Sequence, residues 1–151
     1  MPAPLLVFGW GNASRGDDAL GPLFVQRLAE QLDAAQPSRV ELLEDYQLQI
    51  EHALDLAGRE RVLFVDASVD APPPFTAAPV VASRVAEAGS HALSPAALLR
   101  VYLQFNGETA PPCTLLAIRG ERFGLGEPLS DAAASNLDAA LRWARGWVGA
   151  S

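Results

Sequence analysis

The sequence predicts an α/β fold, a three-layer α/β/α sandwich around a mostly parallel sheet of about five strands. Short apolar runs typical of buried strands alternate with segments in which apolar residues recur at helical spacing, an order that favours a parallel sheet covered on both faces. The chain has 151 residues, 50% of them hydrophobic, which suits one compact core. No internal repeat or charge run divides it, so we expect residues 1–151 to form a single domain.

The first strand is predicted at Leu5–Phe8, where a short apolar run breaks at a glycine-rich loop. Glycine accepts positive φ and lets a backbone or a ligand approach closely. Apolar residues at helical spacing then predict an amphipathic helix over 20–32. Asp18 is placed at or near the N-cap of this helix, where its carboxylate would accept backbone N–H bonds, and its neighbour Asp17 is expected to be exposed.

The middle of the chain predicts two more strands and a helix between them. Val40–Leu43 is a short strand, Glu44–Gln47 is polar and loop-like, and helical spacing resumes over Leu48–Leu56. The run Arg61–Asp66 is almost continuously apolar until its closing aspartate, which is typical of a central parallel strand that is buried on both faces.

The second half predicts the remaining helices and strands. Four prolines make the segment Ser68–Pro79 irregular, and Val80–Val85 is a candidate edge strand. Ser94 and Pro95 start a helix that continues to Phe105. The last two elements are a buried strand at Thr114–Ile118 and a helix that is capped by Ser130 and ends near Val148.

Composition excludes several classes of function. The net charge of −7, with eleven Lys and Arg residues, argues against nucleic-acid binding, which needs a basic surface. The apolar runs are far shorter than the roughly 20 residues that span a bilayer, and the N-terminus lacks the pattern of a secretory signal. The single cysteine excludes an internal disulfide. We therefore expect a cytoplasmic protein with neither a nucleic-acid nor a membrane partner.

Two carboxylates and an imidazole stand where the fold can bring them together. Asp18 follows the first strand and its loop, Asp66 closes the third strand, and His91 lies in a later loop. Ligands of open α/β sheets bind at the carboxyl ends of the strands. Imidazole suits zinc and nickel, and carboxylates complete a metal site with open positions. Such a site would hold a metal that polarises a carbonyl or activates water.

Two other interpretations of the same loops have less support. Gly9 and Gly11 fit the first half of a dinucleotide-binding motif, but Ser14 stands at its third glycine position. Asp17 and Asp18 would also place negative charge beside a pyrophosphate. A serine hydrolase is disfavoured because no serine lies in the G-x-S-x-G motif.

Three further residues have a structural and a functional interpretation. His52 is predicted to be a solvated residue on a helix face. Cys113 begins a buried strand without an evident basic partner, which favours a core residue over a nucleophile. Trp10 either forms a wall of the site or packs in the core.

The same residues resemble the motifs of the NiFe-hydrogenase maturation endopeptidases. The resemblance begins with Gly9-Trp10-Gly11-Asn12, Asp17-Asp18 and Gly21, and continues with Val65-Asp66-Ala67 and the segment 90–95 around His91. Further similar segments are 45–48, 118–123 and 125–130, and the match covers about residues 5–148. It is greatest with the branch that serves bidirectional, NAD-linked hydrogenases.

This resemblance implies a peptidase that removes a C-terminal extension from a hydrogenase large-subunit precursor after nickel insertion. It implies that Asp18, Asp66 and His91 are both the catalytic residues and the ligands that recognise the nickel of the substrate. No permanently bound cofactor is implied, although a divalent ion such as zinc or cadmium would fit the site. The family often has Glu at the position of Asp18. The side chain of Asp is shorter, so its carboxylate reaches less far toward a ligand. We expect a monomer.

Two functions other than a peptidase would use the same three ligands. A non-hydrolytic metallochaperone or docking protein would sense the nickel of the same subunit without cleaving it. A general zinc hydrolase would instead carry stoichiometric zinc. For the peptidase, the hypothesis is that a metal-polarised water attacks the peptide with Asp18 or Asp66 as its base.

Overall fold

Five strands form one sheet in the computed structural model, which describes residues 2–32, 39–83, 93–107 and 109–150. The strands are β1 (Leu5–Trp10), β2 (Val40–Asp45), β3 (Arg61–Ser68), β4 (Phe75–Pro79) and β5 (Cys113–Arg119). Their order across the sheet is β2-β1-β3-β5-β4. The first four in that order are parallel, and β4 runs antiparallel to β5. The predicted mostly parallel sheet of five strands is confirmed.

Helices cover both faces of the sheet. Helices α1 (Leu20–Gln31) and α3 (Asp131–Gly149) contribute to one apolar cluster, and α2 (Pro95–Asn106) packs on the other face with a 3-10 helix at Ile50–Leu56. Strands β1 and β3 alternate their side chains between the two clusters, which is why their apolar runs are continuous. The predicted three-layer α/β/α architecture is confirmed. None of the helices in the described ranges is both long and apolar enough to cross a membrane.

The entry into α1 differs from the prediction. A 3-10 helix at Gly16–Ala19 runs directly into α1, whose N-cap is Ala19, and no side chain caps either helix. Asp18 lies next to this N-cap, as predicted, but the prediction that its carboxylate caps α1 is wrong, because Asp18 lies inside the preceding 3-10 turn. The segment predicted as a helix over Leu48–Leu56 is likewise a 3-10 helix, which begins at Ile50.

The edge of the sheet also differs from the prediction. The segment Ser68–Pro79 was expected to be irregular because of its prolines, yet Phe75–Pro79 forms strand β4. Pro79 is tolerated because it is the last residue of an edge strand, where a missing N–H removes little pairing. The predicted strand Val80–Val85 is wrong over residues 80–83, which have no regular structure, and its last two residues lie outside the described part of the chain.

Two glycines bring α1 against the end of β1. A Cβ atom on Gly9 would collide with the carbonyl oxygen of Gly21, and one on Gly21 would collide with that of Trp10. Only glycine at both positions permits this backbone contact. It holds the 3-10 helix that carries Asp17 and Asp18 against the carboxyl end of the sheet.

Candidate functional site

The carboxyl ends of β1 and β3 bring Asp18 and Asp66 together. Gly9 of β1 is paired with Val65, so Asp66 lies at the end of the pairing with β1, next to the loop that leads to Asp18. The two side chains are close enough for the charge of Asp18 to raise the pKa of Asp66. His91, the third predicted site residue, lies outside the described residues. Within the described ranges, no three potential ligands form a metal-binding group.

Asp66 has a strongly perturbed pKa. Burial is the main cause and the negative charge of Asp18 is the second, and together they outweigh hydrogen bonds from the backbone of Ala67 and the side chain of Trp10. The result is a pKa of about 7. The ion pairs formed by described residues involve neither Asp18 nor Asp66. Two neighbouring carboxylates without a cationic partner favour the approach of a cation.

Trp10 has both of the roles considered from the sequence. Its ring is 8% exposed and lies edge-on to Phe8 and Phe64, with 6.0 Å between ring centroids in each pair. The same side chain hydrogen-bonds to Asp66. Trp10 therefore connects the core on one face of the sheet to the candidate site.

The glycine loop holds Asp18 through Asn12. The backbone N–H of Asn12 donates to Oδ2 of Asp18 at 2.7 Å. The Asn12 side chain fixes the loop in turn, because its Oδ1 accepts from the backbone N–H of Ser14 at 2.8 Å and its Nδ2 donates to the Tyr46 hydroxyl at 2.7 Å. A bond from the Asn12 side chain to its own loop is common for asparagine, whereas the contact with Tyr46 is not evident from the sequence.

Asp17 is buried, so the prediction that it is exposed is wrong. Its carboxylate has no accessible surface and accepts hydrogen bonds from the backbone N–H groups of Glu121, Arg122 and Ser130 and from the Ser130 hydroxyl. Burial by itself raises the pKa of Asp17, but these hydrogen bonds outweigh it and the net pKa is lowered. Asp17 therefore anchors the loop after β5.

His52 is also placed differently from the prediction. Its side chain is only 13% exposed, and it lies edge-on to Phe8 with ring centroids 4.4 Å apart. Nδ1 accepts the backbone N–H of Gln49 at 2.8 Å, so the proton of the neutral ring is assigned to Nε2, which lies 3.1 Å from Oδ2 of Asp45. His52 is therefore a structural residue beside the end of β2, and it is not solvated.

Cys113 lies in the core, as predicted. Its side chain is buried, and burial raises the pKa of the thiol to about 12. A thiol with this pKa is protonated at neutral pH and is a poor nucleophile.

A polar groove of about 350 Å³ adjoins the candidate site. It lies between the glycine loop, α1 and the end of β2, and Asn12 forms part of it. A larger depression of about 580 Å³ lies over the loop after β5, where Asp17 is anchored. The residues of the polar groove are Gly11, Asn12, Ala13, Ser14, Pro22, Gln26, Glu44, Asp45 and Tyr46.

Solved structures with a similar fold include hydrogenase maturation proteases. The protease HycI from Thermococcus kodakarensis KOD1 is 20% identical with a TM-score of 0.77, over 98% of this chain and 94% of that one. The maturating endopeptidase HybD from E. coli is 26% identical with a TM-score of 0.73, over 98% and 92%. An endopeptidase from Escherichia coli is 27% identical with a TM-score of 0.70, over 95% and 90%.

No protein-family model matches the sequence, and no curated protein sequence matches it significantly. The structural similarity nevertheless extends over almost the whole of each chain. It confirms the resemblance to the NiFe-hydrogenase maturation endopeptidases, and it supports the assignment of this chain as a protease. The resemblance to the bidirectional, NAD-linked branch stays a prediction.

Proposed function

We propose that this chain, which shares its fold with NiFe-hydrogenase maturation proteases, removes the C-terminal extension of a NiFe-hydrogenase large-subunit precursor after nickel insertion. In this proposal Asp18, Asp66 and His91 recognise the nickel that the substrate carries. The named activities of the structural neighbours support the reaction. The observation that carries the assignment of the site is the proximity of Asp18 and Asp66 at the carboxyl ends of β1 and β3.

The electrostatics of this carboxylate pair suit a cation delivered by a substrate. In the free protein the charge of Asp18 disfavours ionisation of Asp66, and among described residues no Lys or Arg forms an ion pair with either. A divalent cation relieves this repulsion and favours ionisation of both carboxylates. Nickel accepts oxygen and imidazole ligands, so His91 is the third ligand in the proposal. The substrate supplies the other protein ligands of the nickel, and a water molecule completes the coordination.

Recognition of nickel would supply both rate and specificity. Docking on the metal holds the scissile peptide bond beside the site, and such positioning lowers the barrier of a reaction strongly. A precursor without nickel lacks this contact and is a poor substrate. The attacking group is a water molecule polarised by the nickel of the substrate. Asp18 or Asp66 accepts its proton as the water oxygen bonds to the peptide carbonyl carbon, and passes that proton to the leaving amine as the C–N bond breaks.

The proposal also covers the state of the enzyme. It acts as a cytoplasmic monomer without a permanently bound metal, and zinc or cadmium is able to occupy the site in place of nickel. Its substrate belongs to a bidirectional, NAD-linked hydrogenase. It has no membrane or nucleic-acid partner.

The experiment is a processing assay on a nickel-loaded precursor, read as the fraction of shortened subunit over time. The variants Asp18→Asn, Asp66→Asn and His91→Ala should each lose cleavage. Asp138→Asn is the matched control, because it neutralises an exposed carboxylate on α3. Full activity in both amide variants would contradict the proposal, and binding of the precursor by the wild type without shortening would favour a docking protein or metallochaperone.

A further inference from the structure

We propose that Tyr46 is a positioning residue that holds Asp18 through Asn12. This inference rests on the proposed function, since it concerns the residue that would meet the nickel of the substrate. Tyr46 follows the last residue of β2, in a different segment from Asp18 and Asn12. Its hydroxyl is one of the groups through which the end of β2 contacts the glycine loop.

Two hydrogen bonds in series connect Tyr46 to Asp18. The Tyr46 hydroxyl accepts from Nδ2 of Asn12 at 2.7 Å, and the backbone N–H of Asn12 donates to Oδ2 of Asp18 at 2.7 Å. Asn12 is thus held on both sides, because its Oδ1 also accepts from the N–H of Ser14. These side-chain contacts hold Asn12 in place, and with it the backbone N–H that donates to Asp18.

Tyr46 is itself fixed to the framework of the fold. Its backbone N–H donates to Oδ1 of Asp45 at 2.6 Å, and Oδ2 of the same carboxylate lies 3.1 Å from Nε2 of the mostly buried His52. The backbone carbonyl of Asp45 accepts from the N–H of Gly11 at 3.2 Å, which ties the glycine loop to the end of β2. The series of contacts therefore starts at a rigid strand and ends at Asp18.

Because Tyr46 is largely exposed, its hydroxyl does not serve to pack the core. The residue is 64% exposed and belongs to neither apolar cluster. By contrast, the hydrogen bond to Asn12 holds a loop that contains Gly11, at φ 151°, directly before Asn12. Glycine adopts backbone conformations that other residues rarely adopt, and a metal ligand needs its supporting contacts to keep a fixed geometry.

The contact leaves Asp18 arranged for a ligand. Oδ2 accepts the N–H of Asn12, whereas Oδ1 accepts no hydrogen bond from the part of the chain that the structure describes. One oxygen is therefore held by the loop and the other is left for the substrate. Loss of the Tyr46 hydroxyl lets the carboxylate sample orientations that do not suit coordination.

The test is the variant Tyr46→Phe, which removes only the hydroxyl. We expect its affinity for the nickel-loaded precursor to fall about three- to tenfold, the range of one hydrogen bond. Its affinity for the nickel-free precursor and its melting temperature should stay at wild-type values. Tyr102→Phe removes the same atom from the buried tyrosine on α2 and controls for the loss of a tyrosine hydroxyl as such, with its melting temperature measured alongside.

A double-mutant cycle identifies the route of the effect. If Tyr46 acts through Asn12, Tyr46→Phe should weaken binding in the wild-type background and have no further effect in the Asn12→Ala background. An equal loss in both backgrounds would overturn the inference, because it would indicate a direct contact with the substrate. Equal losses for loaded and nickel-free precursor would overturn it too, since a general structural defect explains them.

Titration of the free protein with Ni²⁺ separates this inference from the proposed function. A weaker Ni²⁺ affinity in Tyr46→Phe than in the wild type supports the positioning role, and an unchanged affinity overturns it. This readout needs no cleavage. A wild-type protein that does not process the loaded precursor would refute the peptidase activity while the titration still tests Tyr46.

Discussion

Ser130 binds the carboxylate of Asp17 twice, from its backbone N–H at 2.7 Å and from its hydroxyl at 2.6 Å. The same hydroxyl accepts the N–H of Ala133, so it also caps α3. These bonds join the turn before α1 to the start of α3, 113 residues later. Two adjacent aspartates thus have different roles, since Asp17 organises the loops and Asp18 lies in the candidate site.

Replacement of Asp17 should destabilise the fold. Asp17→Asn leaves an amide group facing buried N–H donors, which should lower the free energy of unfolding by about 2–4 kcal/mol at pH 7. Because the pKa of Asp17 is lowered in the folded state, its stabilisation is present above its ordinary pKa of 3.8 and is lost as the pH falls below it. The difference from wild type should therefore shrink between pH 7 and pH 3.

Urea denaturation at the two pH values measures this effect. Asp138→Asn serves as the control, because its carboxylate is exposed on α3 and the substitution should change stability by less than about 0.5 kcal/mol. An Asp17→Asn protein as stable as the control at pH 7 would contradict the anchoring role.

Replacement of Asp66 should have the opposite effect on stability. The folded-state pKa of about 7 exceeds the ordinary 3.8, so the contribution of Asp66 is most favourable at low pH and is lost as the pH rises through 7. Asp66→Asn has no carboxyl group to ionise at this position. Its free energy of unfolding at pH 8 should therefore exceed that of the wild type by about 1–3 kcal/mol. Near pH 4 the two proteins should have similar stabilities.

Chemical denaturation across pH 4–8 checks this prediction without any metal. A variant that is less stable than wild type at pH 8 would show that the burial of Asp66 does not oppose its ionisation. Because the charge of Asp18 is the second cause of the raised pKa, Asp18→Asn should lower the pKa of Asp66.

The contact between α1 and β1 should not tolerate a side chain. Gly21→Ala places a Cβ against backbone atoms of Trp10, which have no room to move, and should destabilise the protein by about 2–4 kcal/mol. Gly146→Ala is the matched control, because a Cβ there meets nothing within 4 Å and alanine favours the helix. Thermal melting should place Gly21→Ala below wild type and Gly146→Ala slightly above it; the reverse order would contradict the predicted contact.

Cys113 should be unreactive and dispensable for cleavage. Its raised thiol pKa and its burial predict no alkylation by iodoacetamide at pH 8 in the folded protein and full alkylation in urea. Mass spectrometry reads both states of the same sample. Cleavage of the precursor should be insensitive to the reagent, and inactivation that follows modification of Cys113 would point to a nucleophilic thiol.

The sequence predicts the order of strands and helices well, because local periodicity and helix-start signals determine it. Ser94 and Ser130 cap α2 and α3, as their positions before the helical spacing indicate. Strand β4 is missed, since Phe75–Pro79 follows three consecutive prolines, ends on a fourth and is mostly exposed at the sheet edge. Local propensity does not reveal its pairing with β5.

The errors at Asp17 and His52 have a common cause. The partners of Asp17 are more than 100 positions away, at Glu121, Arg122 and Ser130, and their arrangement depends on the complete fold. His52 packs edge-on against Phe8 of β1, a contact that likewise depends on the complete fold. The proximity of Asp18 and Asp66 is predictable, because strands β1 and β3 end at one edge of the sheet.

The most direct test of the account compares nickel-loaded with nickel-free precursor. Purified protein is mixed with each large-subunit precursor, and the intact mass of the subunit is followed with time. If recognition of nickel permits hydrolysis, one C-terminal fragment should be lost from the nickel-loaded precursor and the nickel-free one should be unchanged. Equal cleavage of both, or cleavage of neither, would contradict recognition of substrate nickel as the step that permits hydrolysis.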